Sequence, residues 1–486
     1  MKSSLLTTLC IGISTQIFAQ SQTQTLINAL LQETPLASDL QYLCDQIGGR
    51  ATGSANNQKA VAWGVETFKN AGIIAKTEEF QMPFRWAEKQ TTATVSGDLN
   101  FVPKVNALSF SAATPKNGIK APVVFANFGT AQDFAAIGTR AKNAFVLIKT
   151  DELKDLNGLF KEYNDMVLIE ENAYQAGVKG IIYISSRSRR LMYRHNASRG
   201  AKNTLPILLM AREDAQRIVR SLNQNQNIQI EAKINLTTGG SYPSQNVIAE
   251  IKGSEKPEEI IVIGAHLDSW DLGTGALDNG CNVALIIDIA RQMQLLNIRP
   301  VRTIRFALWN GEEQGLNGSW EYTRTHLNEL DNHKMALSID IGAGKINGFY
   351  TGGRQDCTDA TSYCLTELSQ ITNQKFEQIN APLVGTDNFD FMMQGIANLV
   401  ANQEESTYAQ HYHSESDTYD KVDIASVKNN AAIVAALTLA FANQNYSLPR
   451  QNRSEVQNLI NTTDLEAQMK SFGVWNDWLN GTRGIK

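Results

Sequence analysis

The sequence predicts an α/β protein: a mostly parallel sheet with helices on both faces, interrupted by an inserted domain. Two observations carry this. After Ser244, strand-length apolar runs (Asn246–Ile251, Ile260–Gly264, Thr303–Leu308, Met335–Ile339 and Ile396–Ala401) alternate with helical patterns such as CNVALIIDIARQMQLL, NGSWEYTRTHLNEL and DATSYCLTELSQI. Between about Lys104 and Ile234 the pattern changes to shorter runs, APVVFANF, NAFVLIKT, KGIIYISS and LPILLM, with their own helical stretches ENAYQAGV and REDAQRIVRSL.

The elements take their order from these patterns. Residues 1–19 read as a secretory signal: one lysine, an apolar stretch, and a cleavage site after Ile17–Phe18–Ala19. The mature chain is therefore expected to be exported, periplasmic or secreted, and free of the membrane. No later run is expected to reach transmembrane length. Residues 20–103, with the amphipathic pattern AVAWGVETFKNAG, form an N-terminal part of the main domain, 104–234 the insert, and 235–446 the core. IASVKNNAAIVAALTLAFA closes that core as a helix, and 447–486 reads as a separate polar, helical extension. The basic stretch SSRSRRLMYRH, 185–195, reads first as a solvated loop.

Composition narrows the function. The 486 residues are 42% hydrophobic and 19% charged, which suits a globular chain of two or three domains. A net charge of −5 offers no basic footprint, so no nucleic-acid partner is expected. Once Cys10 leaves with the signal, Cys44, Cys281, Cys357 and Cys364 remain. On one helix Cys357 and Cys364 stand about 10 Å apart along the axis, beyond the roughly 7 Å reach of a disulfide. No C-x-x-C pair marks a thiolate zinc site.

The chemistry lies where strands end, because ligands in open α/β sheets bind outside the carboxyl ends of strands. IIVIG is followed by His266, Asp268 and Asp278; TIRFALW by Asn310–Gly311–Glu312–Glu313; MALSI by Asp340; and IANLVA, across a longer loop, by His411 and His413. Carboxylates gathered at one edge repel one another unless a cation sits among them. A pair of divalent metals explains the set, and imidazole with carboxylate suits zinc. In H-x-D, Asp268 is placed to accept from the second nitrogen of His266 and fix its tautomer. Of the adjacent pair Glu312–Glu313, whose side chains point opposite ways in extended chain, one is free to bind metal while the other serves as base.

Taken together, GAHLDSWDLGTGALDNG, LWNGEEQGLNGS, SIDIGAG, GTDNFDF and HYHSESDT resemble the zinc-dependent exopeptidase family of bacterial aminopeptidases and glutamate carboxypeptidase. The likeness is closest to its carboxypeptidase Q branch, through HLDSWD, LW-x-x-EEQG and IGGRATGS. The resemblance covers nearly the whole mature chain to about Asn445 and implies a zinc exopeptidase fold with a protease-associated insert. It implies two Zn2+ per chain: His266 and Asp340 completing one site, Glu313 and His413 the other, Asp278 bridging both. It implies Glu312 as general base and Asp268 as orienter of His266. His413 rather than His411 is the match, standing four residues before Asp417. His411, Thr386 and Asp387 are candidate substrate contacts, with loop or capping roles equally open. His195, His326 and His333 match nothing and read as surface or packing residues. Asn279 departs from the branch's second aspartate, a change in the outer shell.

The implied activity is hydrolysis of short peptides, above all dipeptides, by a metal-activated water and a glutamate base, with a homodimer as the possible assembly. Broader aminopeptidase action on longer peptides stays open beside it. So do a single-zinc glutaminyl cyclase and a non-catalytic binding relative. The complete ligand set favours the hydrolase.

Overall fold

A computed structural model of the chain describes residues 22–486. The expected signal segment and Cys10 lie outside the described residues. The first half carries β1 (Ile74–Met82), β2 (Arg85–Gly97), β3 (Val105–Ala107), β4 (Ile119–Phe125), β5 (Phe145–Ile148), β6 (Gly180–Ile184), β7 (Ile207–Met210) and β8 (Ile228–Gly239). The second half carries β9 (Tyr242–Ile251), β10 (Lys256–His266), β11 (Arg302–Trp309), β12 (His333–Ser338), β13 (Ile346–Tyr350), β14 (Glu377–Ile379) and β15 (Asn398–Gln403).

The main sheet has eight strands in the order β1-β9-β11-β10-β12-β15-β13-β14. Its centre, β11-β10-β12-β15, is parallel. The β1–β9, β9–β11 and β13–β15 pairs are antiparallel, so the sheet is mixed where the apolar runs predict a mostly parallel one. Both faces are covered, which is why the central strands read as continuous apolar runs rather than alternating ones. On one face Ile261, Ile263, Phe306 and Leu308 join the helix Cys281–Leu295 and the helix Ile424–Asn443. On the other, Ile260, Val262, Ala307 and Trp309 meet Tyr322 and Phe391. The odd and even positions of β10 thus serve different cores, as the two-residue period of a strand requires.

Ile424–Asn443 corrects the expectation that no later run reaches transmembrane length: it is long and apolar enough by composition. Its side chains are instead buried in the main core, from Val427 and Ala431 to Leu437 and Phe441.

The second sheet has seven strands in the order β2-β8-β4-β5-β6-β7-β3. Strands β4 to β7 are parallel and β8, β2 and β3 flank them antiparallel. Because β2 pairs with β8 from Arg85–Gly239 to Gly97–Ile228, residues 85–103 belong to this sheet and not to the N-terminal part of the main one. The unit therefore begins near 85 rather than 104.

Two further readings change. The C-terminal segment is not separate. Val456, Leu459 and Ile460 share one face of the helix Arg453–Thr462 and, with Leu465, Met469 and Trp478, pack on Leu316, Val384, Phe389, Met392 and Met393 of the main domain. The buried Arg483 guanidinium locks the contact by donating twice to Asp390, at 2.7 Å each. The 185–195 stretch is not simply a solvated loop either: Arg187 and Arg194 are buried and paired, Arg187 with Glu162 at 3.1 Å. Cys44, Cys281, Cys357 and Cys364 are all buried, and none is in a disulfide among the described residues.

Candidate metal centre and active site

The carboxyl ends of the parallel strands bring the predicted residues together. His266 is the last residue of β10, and its Nε2 lies 3.0 Å from Asp340 Oδ1, just past β12, and 3.1 Å from Asp278 Oδ1. His413, in the long loop after β15, sets its Nε2 2.7 Å from Glu313 Oε2 and 3.2 Å from Asp278 Oδ2. Asp278 therefore offers one carboxylate oxygen to each histidine. All five side chains are buried.

The loop between β10 and Asp278 is held in place from the N-terminal segment. Arg50, fully buried, donates from Nε to Leu267 O at 2.5 Å, from Nη1 to Thr274 O at 2.7 Å and from Nη2 to Gly275 O at 2.9 Å. Gly275 sits at φ +60°, and a Cβ there would come within 2.8 Å of Arg50 Nη1, so the clamp depends on glycine. Asp417 takes the Leu277 amide at 2.6 Å and the Asp278 amide at 3.1 Å on its two carboxylate oxygens, which fixes the backbone that aims Asp278. Asn279 donates to Ile339 O at 2.9 Å and accepts from Asn282 at 2.7 Å, tying the loop to the end of β12. An aspartate there has no hydrogen to donate, which gives this departure a structural role.

Asp268 acts differently from the expectation. The main-chain carbonyl of Asp268 accepts from His266 Nδ1 at 2.9 Å, while its carboxylate stands 3.6 Å away. The carboxylate is engaged elsewhere, accepting from Thr52 Oγ1 at 2.6 Å and facing the Glu312 amide at 3.4 Å. The tautomer of His266 is thus set by a carbonyl, and Asp268 anchors the IGGRATGS segment to the loop bearing Glu312.

The electrostatics describe a cluster short of positive charge. Burial opposes a charge on His266, but the Asp340 and Glu312 carboxylates outweigh it and hold the imidazole well above its ordinary range. Burial likewise opposes charge on His413, and Glu313 raises it to about 9. Burial pushes Glu313 up to about 7, against His413, and Asp340 up to about 6, against His266. Burial also drives Glu312 well above the usual carboxylate range. Only Asp278 is held low, because hydrogen bonds from both histidines overcome its burial.

The residues fit a divalent metal. Glu313 Oε1 is buried with no hydrogen-bond partner among the described residues, although its carboxylate lies in the middle of the cluster. A ligand atom from each of His266, Asp278 and Glu313 falls within 4.8 Å of the others. Tetrahedral ligands at zinc bond lengths stand about 3.3 Å apart, close to the 2.7–3.2 Å separations here. Neutral imidazole with carboxylate is a donor set that zinc accepts.

Glu312 is set apart from its neighbour. It is partly exposed and lines both lobes of a cavity that opens over the cluster. One lobe runs past His266 and Asp340 between Leu159, Phe160, Ile341, Leu383 and Val384. The other runs past Glu313 and His413 toward His195 and Asn196. Tyr163, from the helix Leu156–Ala176 of the second unit, and Phe472, from the C-terminal segment, border both.

The candidate substrate contacts divide. Thr386 lines the cavity beside Asp340, and Asp387, buried, sits at the start of the helix Asn388–Met393 with Oδ1 unpartnered among the described residues. His411 is not brought to the centre. It hydrogen-bonds Ser416 at 2.7 Å and lines a separate basic groove with Arg187, Arg189 and Lys421. His326 and His333 are structural, the first between Glu78 and Glu329, the second 2.8 Å from the Tyr322 hydroxyl. His195, read from the sequence as a surface or packing residue, lies in the cavity wall. Arg50, Thr52, Arg194 and Asp417 carry roles that no motif assigned them, and only the IGGRATGS match pointed toward the first two.

Comparison with known proteins shows what this chain is similar to. Residues 246–438 match the profile of peptidase family M28. Over 85% of this chain there is 26% identity to carboxypeptidase Q of Xenopus laevis, 86% of which is covered. Among solved structures, a peptidase M28 precursor from Shewanella amazonensis is similar with a TM-score of 0.79 and 27% identity, over 89% of this chain and 98% of that one. The fold is shared with BSAP, a zinc aminopeptidase from Bacillus subtilis, at a TM-score of 0.66 and 23% identity, over 85% of this chain and 96% of that one.

Proposed function

We propose that this chain, a metallopeptidase of family M28, is an exported di-zinc exopeptidase that hydrolyses short peptides, dipeptides above all. The observation that carries the reading is the sharing of the Asp278 carboxylate between His266 and His413, with Glu312 free on the cavity side. His266, Asp340 and Asp278 Oδ1 would hold one zinc; His413, Glu313 and Asp278 Oδ2 the other. When bound, the metals supply Lewis acidity that polarises a carbonyl and acidifies water.

The chain's own residues do the rest. Glu312 takes a proton from the attacking water and returns it to the amine that leaves, a role that needs a carboxylate not committed to a ligand position. The Asp268 carbonyl and the Arg194 carbonyl, 3.3 Å from His413 Nδ1, hold the two imidazoles with Nε2 toward the carboxylates. Leu159, Phe160, Leu383 and Val384 make one lobe fit for an apolar side chain. Tyr163 and Phe472 close over the cluster, which supports a substrate with few residues on either side of the bond.

The test is metal-stripped protein reloaded with zinc and offered free dipeptides, amino-blocked dipeptides and longer peptides. Rapid turnover of free dipeptides, slower turnover of longer peptides, and about two zincs per chain are expected. Full activity with a single zinc contradicts the di-zinc reading. Export rests on the signal-like N-terminus, and mass spectrometry of the mature protein is expected to find it starting at Gln20.

A further inference from the structure

His195 is 1% exposed, lies in the lobe beside Glu313 and His413, and has no hydrogen-bond partner on either ring nitrogen among the described residues. Buried polar atoms are rarely left this way, and a group that meets them gains what the free protein lacks. The ring packs on Tyr163, with centroids 4.0 Å apart and the planes tilted by 40°, so its orientation is held by ring packing rather than by hydrogen bonds. Its flanks are tied to the metal ligands: the Arg194 amide donates to His413 O at 2.9 Å, and Asn196 Nδ2 donates to Glu313 O at 2.9 Å. Asn196 Oδ1, also buried, is unpartnered as well.

Burial lowers the His195 imidazole to about 4, so the ring is neutral and presents one N–H donor and one acceptor nitrogen. The rest of the wall mixes apolar side chains (Met166, Leu316 and Phe472 among others) with Ser198, Ser471, the two tyrosines Tyr163 and Tyr412, His413, Glu312 and Glu313, and no lysine or arginine lines it among the described residues. Among the described residues a carboxylate side chain would find no lysine or arginine to pair with there, and the Glu312 carboxylate close by. A hydroxyl can accept from the imidazole N–H and donate its one hydrogen to Asn196 Oδ1, and a carboxamide can accept through its oxygen and donate through its two N–H groups.

We propose that this lobe receives one residue of the peptide substrate and that His195 is its specificity-determining residue, hydrogen-bonding an uncharged polar side chain. The assignment rests on the peptidase reading above and names the selectivity of that same site. The experiment uses zinc-loaded full-length protein and dipeptides that pair alanine with serine, asparagine, valine or aspartate in both orders. In one of the two positions, serine and asparagine are expected to exceed valine and aspartate in kcat/KM. His195→Phe keeps the ring on Tyr163 but removes both nitrogens. It is expected to cut kcat/KM for the serine and asparagine substrates about tenfold through KM, the worth of one hydrogen bond, with the valine substrates within twofold. His195→Asn is expected to restore part of the preference.

A uniform fall across all substrates with His195→Phe, or no change at all, overturns the proposal. The same preference is read independently as dipeptide affinity by calorimetry in the Glu312→Gln background. Preferential binding without turnover by the wild-type enzyme would sink the peptidase reading and leave His195 standing. Turnover with no preference in either measurement sinks His195 and leaves the peptidase.

Discussion

His413 donates from Nδ1 to the main-chain carbonyl of Arg194 at 3.3 Å, and the Arg194 amide donates back to the His413 carbonyl at 2.9 Å. These residues are 219 positions apart, in different sheets' connecting loops. The second unit carries none of the proposed metal ligands, yet it fixes the tautomer of one of them. Removing residues 104–234 would therefore take both of these hydrogen bonds away from His413.

The first prediction concerns the Arg194 side chain, which donates to Asp271 at 2.8 and 2.9 Å and to Ala107 O at 2.8 Å, and pairs with Glu88. Arg194→Met leaves the largely buried Glu88 carboxylate without its partner. Half-exposed Asp271 relaxes into water, so the stability loss is expected near the lower end of a broken buried pair, about 3 kcal/mol. Zinc affinity is expected to fall about 10- to 100-fold as the Arg194 carbonyl loses its position. Denaturant unfolding and a chelator competition measure the two effects; unchanged zinc affinity removes the Arg194 loop from the metal site.

Glu312 and Glu313 are adjacent but are expected to fail differently. Glu312→Gln keeps the shape and removes the base, and should lower kcat about 10²- to 10⁴-fold with metal content near normal. Glu313→Gln removes the anionic partner of His413, so metal content should fall first and added zinc should recover part of the activity. Elemental analysis beside turnover decides it. Metal loss in the Glu312 variant together with an inactive, fully loaded Glu313 variant would reverse the roles.

Asp417 touches no predicted ligand side chain, yet Asp417→Asn is expected to weaken zinc binding. The carboxylate accepts two amides, from Leu277 and Asp278, and a carboxamide accepts only one of them in the same place. The unpaired amide should cost about 1–3 kcal/mol of stability, spent where Asp278 is aimed. Melting curves with and without zinc give the measurement: equal losses in both would confine Asp417 to folding.

Glu170 is a pH-dependent weak point outside the site. It is buried under Ser198, whose amide and hydroxyl donate to it at 2.9 and 2.6 Å, and burial raises it to about 7 from an ordinary 4.5. The folded state therefore holds this proton more tightly than the unfolded one. The contribution to stability is present below about pH 4.5 and is lost as pH rises through about 7. Glu170→Gln, which keeps an acceptor for Ser198, is expected to gain on wild type in melting temperature as pH rises from 4.5 to 8. A difference that stays flat across that range shows that Glu170 does not titrate there.

Much of the site was legible before any coordinates, because its signals are local. The main-domain strands and helices follow from apolar periodicity, and the rule that ligands gather at strand carboxyl ends puts His266, Asp278, Glu312, Glu313, Asp340 and His413 on one edge without any side-chain detail. Errors fell where pairing between distant segments decides. β2 has an alternating pattern that suits either sheet, and only its twelve-residue ladder with β8 assigns it. The C-terminal segment is polar in bulk, but Val456, Leu459 and Ile460 lie on one face and need the Leu316–Met393 surface to be recognised as core.

The sequence alone determined which residue types stand at the sheet edge, and therefore the metal chemistry proposed for them, since both depend on composition and short spacing. The tertiary structure alone decided which atoms of those residues face one another. His266 turns to the carbonyl of Asp268 because Thr52 has already claimed the carboxylate. His411 and His413, two residues apart, diverge because a loop with no repeating geometry carries them, and the Arg194 carbonyl captures only the second. His195 has no motif at all; its meaning arises from a cavity formed when two sheets and a C-terminal helix meet. Hydrogen-bond direction and cavity shape are set by contacts hundreds of residues apart, and those are absent from any local pattern.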